Sequence, residues 1–158
     1  MVRPEAGVSL DNVGIDDLNQ LVNVYSNYCA ENAANIRTNI VNILGSFGMV
    51  AASKITDPSC KLVITTLSSW IVDTVVTDSC LRVSLEGLDR LFDVFSEDDS
   101  DTLFLELNML AKLKHLQPIL KNRIKKERKS LQDEDIAVAN TVKLNLQRFV
   151  TYKEKRLK

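Results

Sequence analysis

Glycine and proline are scarce: five and three residues in a chain of 158. That argues against a collagenous, disordered or turn-rich all-β protein. Cysteine occurs only at Cys29, Cys60 and Cys80, with neither a C-x-x-C unit nor metal-ligand spacing. Three cysteines cannot pair evenly, so a reducing compartment is expected, with all three as small hydrophobic residues on helix faces. The single histidine, His115, has no second histidine with which to share a metal, and is expected on the polar side of a helix. A glycine-rich phosphate loop and a G-x-S-x-G elbow are both missing. Nothing in this inventory supports an enzyme, a metal or a cofactor. The start, Met1-Val2-Arg3-Pro4-Glu5, leads into polar sequence and not into the apolar core of a secretory signal. Apolar runs are interrupted by Ser, Thr or Asp before the ~18 residues of a membrane span, so a soluble protein is expected.

What the chain does have is ordinary globular content, 45% hydrophobic and 26% charged, enough for one domain with a real core. Its net charge of -1 conceals an asymmetry. Residues 1–111 carry 6 Lys/Arg against 16 Asp/Glu, whereas residues 112–158 carry 14 against 5. An acidic body with a basic end either selects partners electrostatically or lets its two ends neutralise each other.

After a lead-in over 1–14 that reads as flexible, the apolar residues recur at three- and four-residue spacing. Leu18, Leu21, Val24, Tyr25 and Tyr28 mark a first helix; Ile36, Ile40, Ile43, Leu44 and Phe47 mark a second. Gly45 and Gly48 weaken that second helix, or let a neighbour approach closely. Asp57-Pro58 is a strong helix start, an N-cap followed by proline at N1. Val63, Ile64, Leu67, Trp70, Ile71 and Val75 follow, too long a stripe for a strand. Asp78-Ser79 then opens a fourth helix with Leu81, Leu85, Leu88, Leu91, Phe92 and Phe95. Shifting the second helix by 45 positions lays Ile36-Arg37 over Leu81-Arg82, Ile40 over Leu85, Ile43 over Leu88 and Phe47 over Phe92. This period belongs to helix-pair solenoids, in which stacked pairs shelter faces that one pair cannot bury alone. Residues 15–96 therefore read as two HEAT-like helix pairs.

Residues 97–101, Glu-Asp-Asp-Ser-Asp, form an acidic linker without the central glycine or twelfth-position glutamate of a calcium loop. Residues 102–158 read as a C-terminal helical cap. It holds a long stripe from Leu103 to Ile124, kinked or broken at Gln117-Pro118. A last helix through Ile136, Ala139, Val142, Leu146 and Phe149 follows, with a frayed basic end. The expected fold is all-α, a HEAT/armadillo-like solenoid with long C-terminal helices.

Two charged sets are candidate partner surfaces. Asp89, Asp93, Glu97, Asp98, Asp99 and Asp101 are placed to meet a basic protein. Lys121, Arg123, Lys125, Lys126 and Arg128 lie in a run that reads as a solvated helix face, a site for an acidic protein, or a phosphate or RNA contact without an aromatic stacking platform.

Asp78-Ser79-Cys80-Leu81-Arg82 resembles the inner-helix entry of HEAT and armadillo units, where an aspartate turns the chain before an aliphatic-arginine pair. Three further stretches, Ser84–Phe95, Leu113–Lys121 and Val142–Tyr152, resemble in order the closing repeats of the symportin family, HEAT-repeat chaperones of ribosomal proteins. That resemblance implies an adaptor for the two 5S-RNA-associated proteins of the large ribosomal subunit, carried by an import receptor and found in cytoplasm and nucleus. Only the family's carboxyl-terminal solenoid is matched; its receptor-recognition region and long acidic insertion are not. Two alternatives stand beside this reading: a solenoid-capping segment with no cargo site of its own, and an RNA-binding module using the basic 112–129 segment.

Overall fold

The computed structural model describes residues 14–30 and 32–157, so the lead-in lies outside the described residues save for Gly14. Among those residues the chain forms seven α-helices and no strand: α1 (Ile15–Cys29), α2 (Ala34–Ala52), α3 (Pro58–Thr77), α4 (Leu81–Val94), α5 (Asp101–Glu106), α6 (Met109–Glu127) and α7 (Asp133–Arg156). Helices α1 and α2, α3 and α4, and α6 and α7 pair as hairpins. One layer runs α1–α3–α6 and the other α2–α4–α7. The result is a helix-pair solenoid in which the C-terminal hairpin continues the stack.

The central helices explain the apolar pattern. At 20 residues α3 is long and apolar enough, by length and composition, to cross a membrane. It lies instead against α1, α2, α4 and α6, with Val63, Ile64, Leu67, Ile71 and Val75 fully buried. Asp57 caps it as its sequence suggests, accepting a bond from the Ser59 N–H at 2.8 Å. Helix α2 is enclosed by α1, α3 and α4, so its buried arc is set by Arg37, Ile40, Val41, Leu44, Phe47 and Gly48. Ile36 and Ile43, expected in the core, stay about 40% exposed because the helix turns them away from all three neighbours.

Helices α2 and α4 run side by side in parallel. A Cβ at Gly45 would lie 2.5 Å from Arg90 Cδ, and one at Gly48 would lie 2.6 Å from both Leu67 and Val94. These two glycines are therefore the close-approach positions between consecutive pairs, and the helix propensity they sacrifice is the smaller effect.

A buried polar rung crosses the same junction. Arg37 donates to Asp78 through Nε at 2.9 Å and Nη2 at 3.1 Å, and to the Tyr28 carbonyl at 3.1 Å. Asp78 also accepts from the Tyr25 hydroxyl and from the Cys80 N–H at 2.8 Å, capping the entry to α4. Both ion-pair side chains are 1% exposed. Burial by itself would raise the Asp78 carboxyl, but the bonds from Arg37, Tyr25 and Cys80 outweigh it and hold it below the usual carboxylate range. Tyr25 is pushed up, first by burial and then by the Asp78 carboxylate.

Two sequence expectations are corrected in the C-terminal part. Of the two alternatives at Gln117-Pro118, a break and a kink, the break is overturned. Helix α6 runs through Pro118, and the chain turns earlier, at Asn108, which takes a left-handed conformation (φ 54°, ψ 39°). Proline sits on the solvent side of α6, where losing one amide bond is tolerated. The basic end is not frayed either. Helix α7 continues to Arg156, with Lys153 fully buried.

Replacing Arg37 with methionine should strand the Asp78 carboxylate and cost about 3–5 kcal/mol in denaturant unfolding. Gly48→Ala should destabilise by about 1–3 kcal/mol through overpacking. Gly87→Ala, whose Cβ would meet Ile71 and Val41 at ordinary distances of 3.5 and 3.8 Å, should be neutral or stabilising. Thermal unfolding of the two glycine variants checks the contrast.

Candidate protein-binding cleft

Where α2 meets α4 the repeat is closed; where α4 meets α7 it opens. A cleft of about 860 Å³ lies between the N-terminal halves of α4 and α7, reaching the start of α2. Its walls include the apolar side chains of Leu81, Leu85, Leu131, Val138 and Val142, with Val138 52% exposed. Around them stand Glu86, Asp89, Glu127, Glu134 and Asp135, opposed by Arg82 alone among the basic wall residues.

The 45-residue register explains why this surface is open. Arg82, Glu86 and Asp89 correspond to Arg37, Val41 and Leu44 of α2, which α4 covers. On α4 those positions are polar, and α7 does not close over them. Arg37 is locked by Asp78, whereas Arg82 is exposed and makes no ion pair among the described residues. Asp89 is half-buried here. Burial pushes its carboxyl up, Arg90 pulls it down, and Glu86 and Asp93 push it up again, with a raised value as the result.

The predicted acidic set divides. Asp89 lines the cleft, and Asp93 lies one turn further along α4, 3.5 Å from Arg90. Glu97 and Asp99 are exposed at the turn before α5. Asp98 and Asp101 are paired with cations of α7, Asp98 at the surface and Asp101 half-buried. Lys153 Nζ lies 2.7 Å from Asp101 and packs over Phe104 and Phe149 at 5.2 and 5.5 Å from the ring centroids. Arg156 reaches Asp101 at 2.5 Å and Asp98 at 3.0 Å. Burial would raise Asp101, but the bonds from Lys153 and Arg156 prevail and hold it low. At this turn the acidic body and the basic end do neutralise each other.

The predicted basic set divides too. Arg123 is not free on the surface: it donates to the Val75 carbonyl at 2.9 Å and to Ser84 Oγ at 2.7 Å, tying α6 to the α3–α4 hairpin. Lys121, Lys125, Lys126 and Arg128 are exposed. His115 is exposed, as expected. Of the cysteines, Cys60 is buried and Cys80 half-buried, but Cys29 is exposed, unlike the packed role expected of it. No group of His, Cys, Asp and Glu among the described residues is arranged to hold a metal.

Sequence reasoning does not single out Glu86, Glu134 or Asp135 as partner residues. In one dimension Glu134 and Asp135 read only as an acidic first turn suited to the helix dipole. The signal that reveals Glu86 is the polarity of α4 at positions where α2 is buried.

Stacked hairpins with an open face define a helical-repeat scaffold, a fold typical of non-catalytic adaptor proteins. The chain belongs to the SYO1-like family with TPR repeats, whose pattern matches residues 5–157. It is similar to HEAT repeat-containing protein 3 of Mus musculus, 35% identical over 121 residues, and of Homo sapiens, 33% identical over 121 residues. Each alignment covers 75% of this chain and 17% of the relative's length, so the chain spans about a sixth of these curated relatives. No solved structure matches it.

The ion-pair geometry separates two kinds of carboxylate. Asp101→Asn should lower stability and Asp89→Asn should leave it unchanged or raise it at neutral pH, as read by urea unfolding. For Asp78 and Asp101 the folded value is depressed, so their contribution is complete above about pH 4, the unfolded carboxylate value, and is lost as the pH falls through the folded one. A stability profile between about pH 5 and 2 should flatten in the Asp101→Asn variant.

Proposed function

We propose that this chain is the cargo-holding end of an adaptor for basic ribosomal proteins. The cargo class is the 5S-RNA-associated proteins of the large subunit, escorted between cytoplasm and nucleus with an import receptor that binds elsewhere in a longer protein. The observation that carries this reading is the unneutralised acidic cleft between α4 and α7, with its partly exposed apolar floor. Ribosomal proteins are basic because they meet RNA, and such a cleft offers them charge complementarity around an apolar anchor point. Asp98 and Asp101, being internally paired, contribute to the architecture of the turn; Asp89 and Asp93, together with Glu86, Glu134 and Asp135, form the contact surface. Family membership supports the adaptor class, and the symportin resemblance supports the cargo. In this division of labour residues 15–96 are the repeat pairs, 97–101 the acidic linker and 102–158 the cap that provides the second wall of the cleft.

The test is co-purification of the 158-residue chain with each 5S-associated protein, then titration of the Asp89→Asn/Glu134→Gln/Asp135→Asn variant. We expect a salt-sensitive complex that the triple variant weakens at least about tenfold, with helical content unchanged. A complex of undiminished affinity, or no complex with either protein at low salt, refutes the assignment.

A further inference from the structure

The basic run on α6 and the turn after it remains unexplained by the cleft, whose lining includes none of its lysines. Lys112, Lys121, Lys125, Lys126 and Lys129 are exposed, and Lys143 of α7 is half-buried beside them. None of the six is within ion-pair distance of a carboxylate among the described residues. The cations that do serve the fold are different ones: Lys114 pairs with Glu154, Arg123 bonds the α3–α4 hairpin, and Lys153 and Arg156 hold Asp101. Lys121, Lys125 and Lys129 follow at four-residue spacing and form a ridge about 12 Å long with no structural duty, with Lys126 beside it.

Between α6 and α7, next to this ridge, is a shallow crevice of about 420 Å³ lined by Gln117, Pro118, Lys121, Lys143, Leu146 and Gln147. It brings two side-chain amides, each able to donate and accept, against two ammonium groups. We propose that the α6 ridge and this crevice bind the phosphate backbone of double-stranded RNA, with Gln117 and Gln147 meeting ribose 2′-hydroxyls.

Three features favour this ligand. A protein partner is held by a large buried apolar or aromatic centre, whereas here the apolar lining is limited to Pro118 and Leu146 in the crevice. Single-stranded nucleic acid is held by aromatic stacking, and the ridge carries no aromatic residue; Tyr152 lies on α7 beyond it. Phosphates need only point charges, which lysines supply, while the 2′-hydroxyl is the group that distinguishes RNA from DNA for neighbouring amides. The inference does not depend on the cleft. It makes the molecule two-sided, with acid facing a basic protein and base facing RNA.

The experiment is fluorescence anisotropy of the 158-residue chain with a labelled RNA duplex of about 24 base pairs and a DNA duplex of the same sequence, in about 50 mM salt. RNA should bind several-fold more tightly than DNA, with log affinity falling with log salt at a slope of about -3.6 to -5.4, as expected for release of counterions from four to six phosphates. Lys121→Glu/Lys125→Glu/Lys126→Glu should lose at least tenfold in RNA affinity with an unchanged helical circular dichroism spectrum. Gln117→Ala/Gln147→Ala should abolish the preference over DNA, and Asp89→Asn/Glu134→Gln should not weaken RNA binding. The proposal is overturned by no binding at this salt, by equal affinity for RNA and DNA, by an undiminished lysine variant, or by tighter binding to phosphatidylserine vesicles or polyglutamate than to RNA.

Discussion

The buried Arg37–Asp78 pair is the joint on which the stack depends. Arg37 belongs to the second helix of one hairpin and Asp78 to the turn entering the second helix of the next, so a single pair ties consecutive repeats together. An ion pair taken from water gains little net stability even with good geometry, and its value is greatest in selecting one arrangement over others. Here the geometry is well satisfied: the carboxylate accepts from a guanidinium, a phenol and an amide. Gly45 and Gly48 make the same junction possible sterically, by letting Arg90 and Val94 of α4 lie directly on α2.

The cleft exists because that joint is not repeated. Arg82 occupies the position of Arg37 one repeat later, yet no aspartate meets it among the described residues, and Glu86 and Asp89 stand on α4 where α2 has Val41 and Leu44. A hairpin that began the α6–α7 repeat with the same register would bury Glu86 and Asp89 without partners, at a cost that the fold avoids by leaving the face open. The C-terminal hairpin is secured by other means: Arg123 on the α3–α4 hairpin, Phe92 against Phe149 at 5.0 Å, and Lys153 and Arg156 on the acidic turn. Stability and a free acidic surface are thus assigned to different residues, with Asp101 serving the first and Asp89 the second.

Much of this is legible from the residues. Helical spacing, the Asp57-Pro58 start and the 45-residue repetition identify the all-α solenoid, because amphipathic stripes report which face of a helix is buried. They do not report how many neighbours a helix has, so Ile36 and Ile43 read as core residues although the enclosed helix turns them outward. The Pro118 break is overestimated from sequence because proline's cost depends on exposure, whereas the real turn, at Asn108, carries only the weak signal of a residue tolerant of the left-handed region. The candidate site is half legible. Charge composition finds acidic and basic runs but cannot tell a carboxylate with a buried lysine above it from one facing an open cleft. Asp98, Asp101 and Arg123 look like Asp89 and Lys121 in one dimension and have different duties in three.

The most direct measurement is hydrogen exchange by mass spectrometry on this chain, alone and with a 5S-associated ribosomal protein. The account predicts new protection in peptides covering residues 81–93 and 131–142, the two walls of the cleft, with the 97–101 turn unchanged because it lies outside the cleft lining and Asp98 and Asp101 are already paired. Protection confined to 97–101, or none in either wall of the cleft, would contradict it.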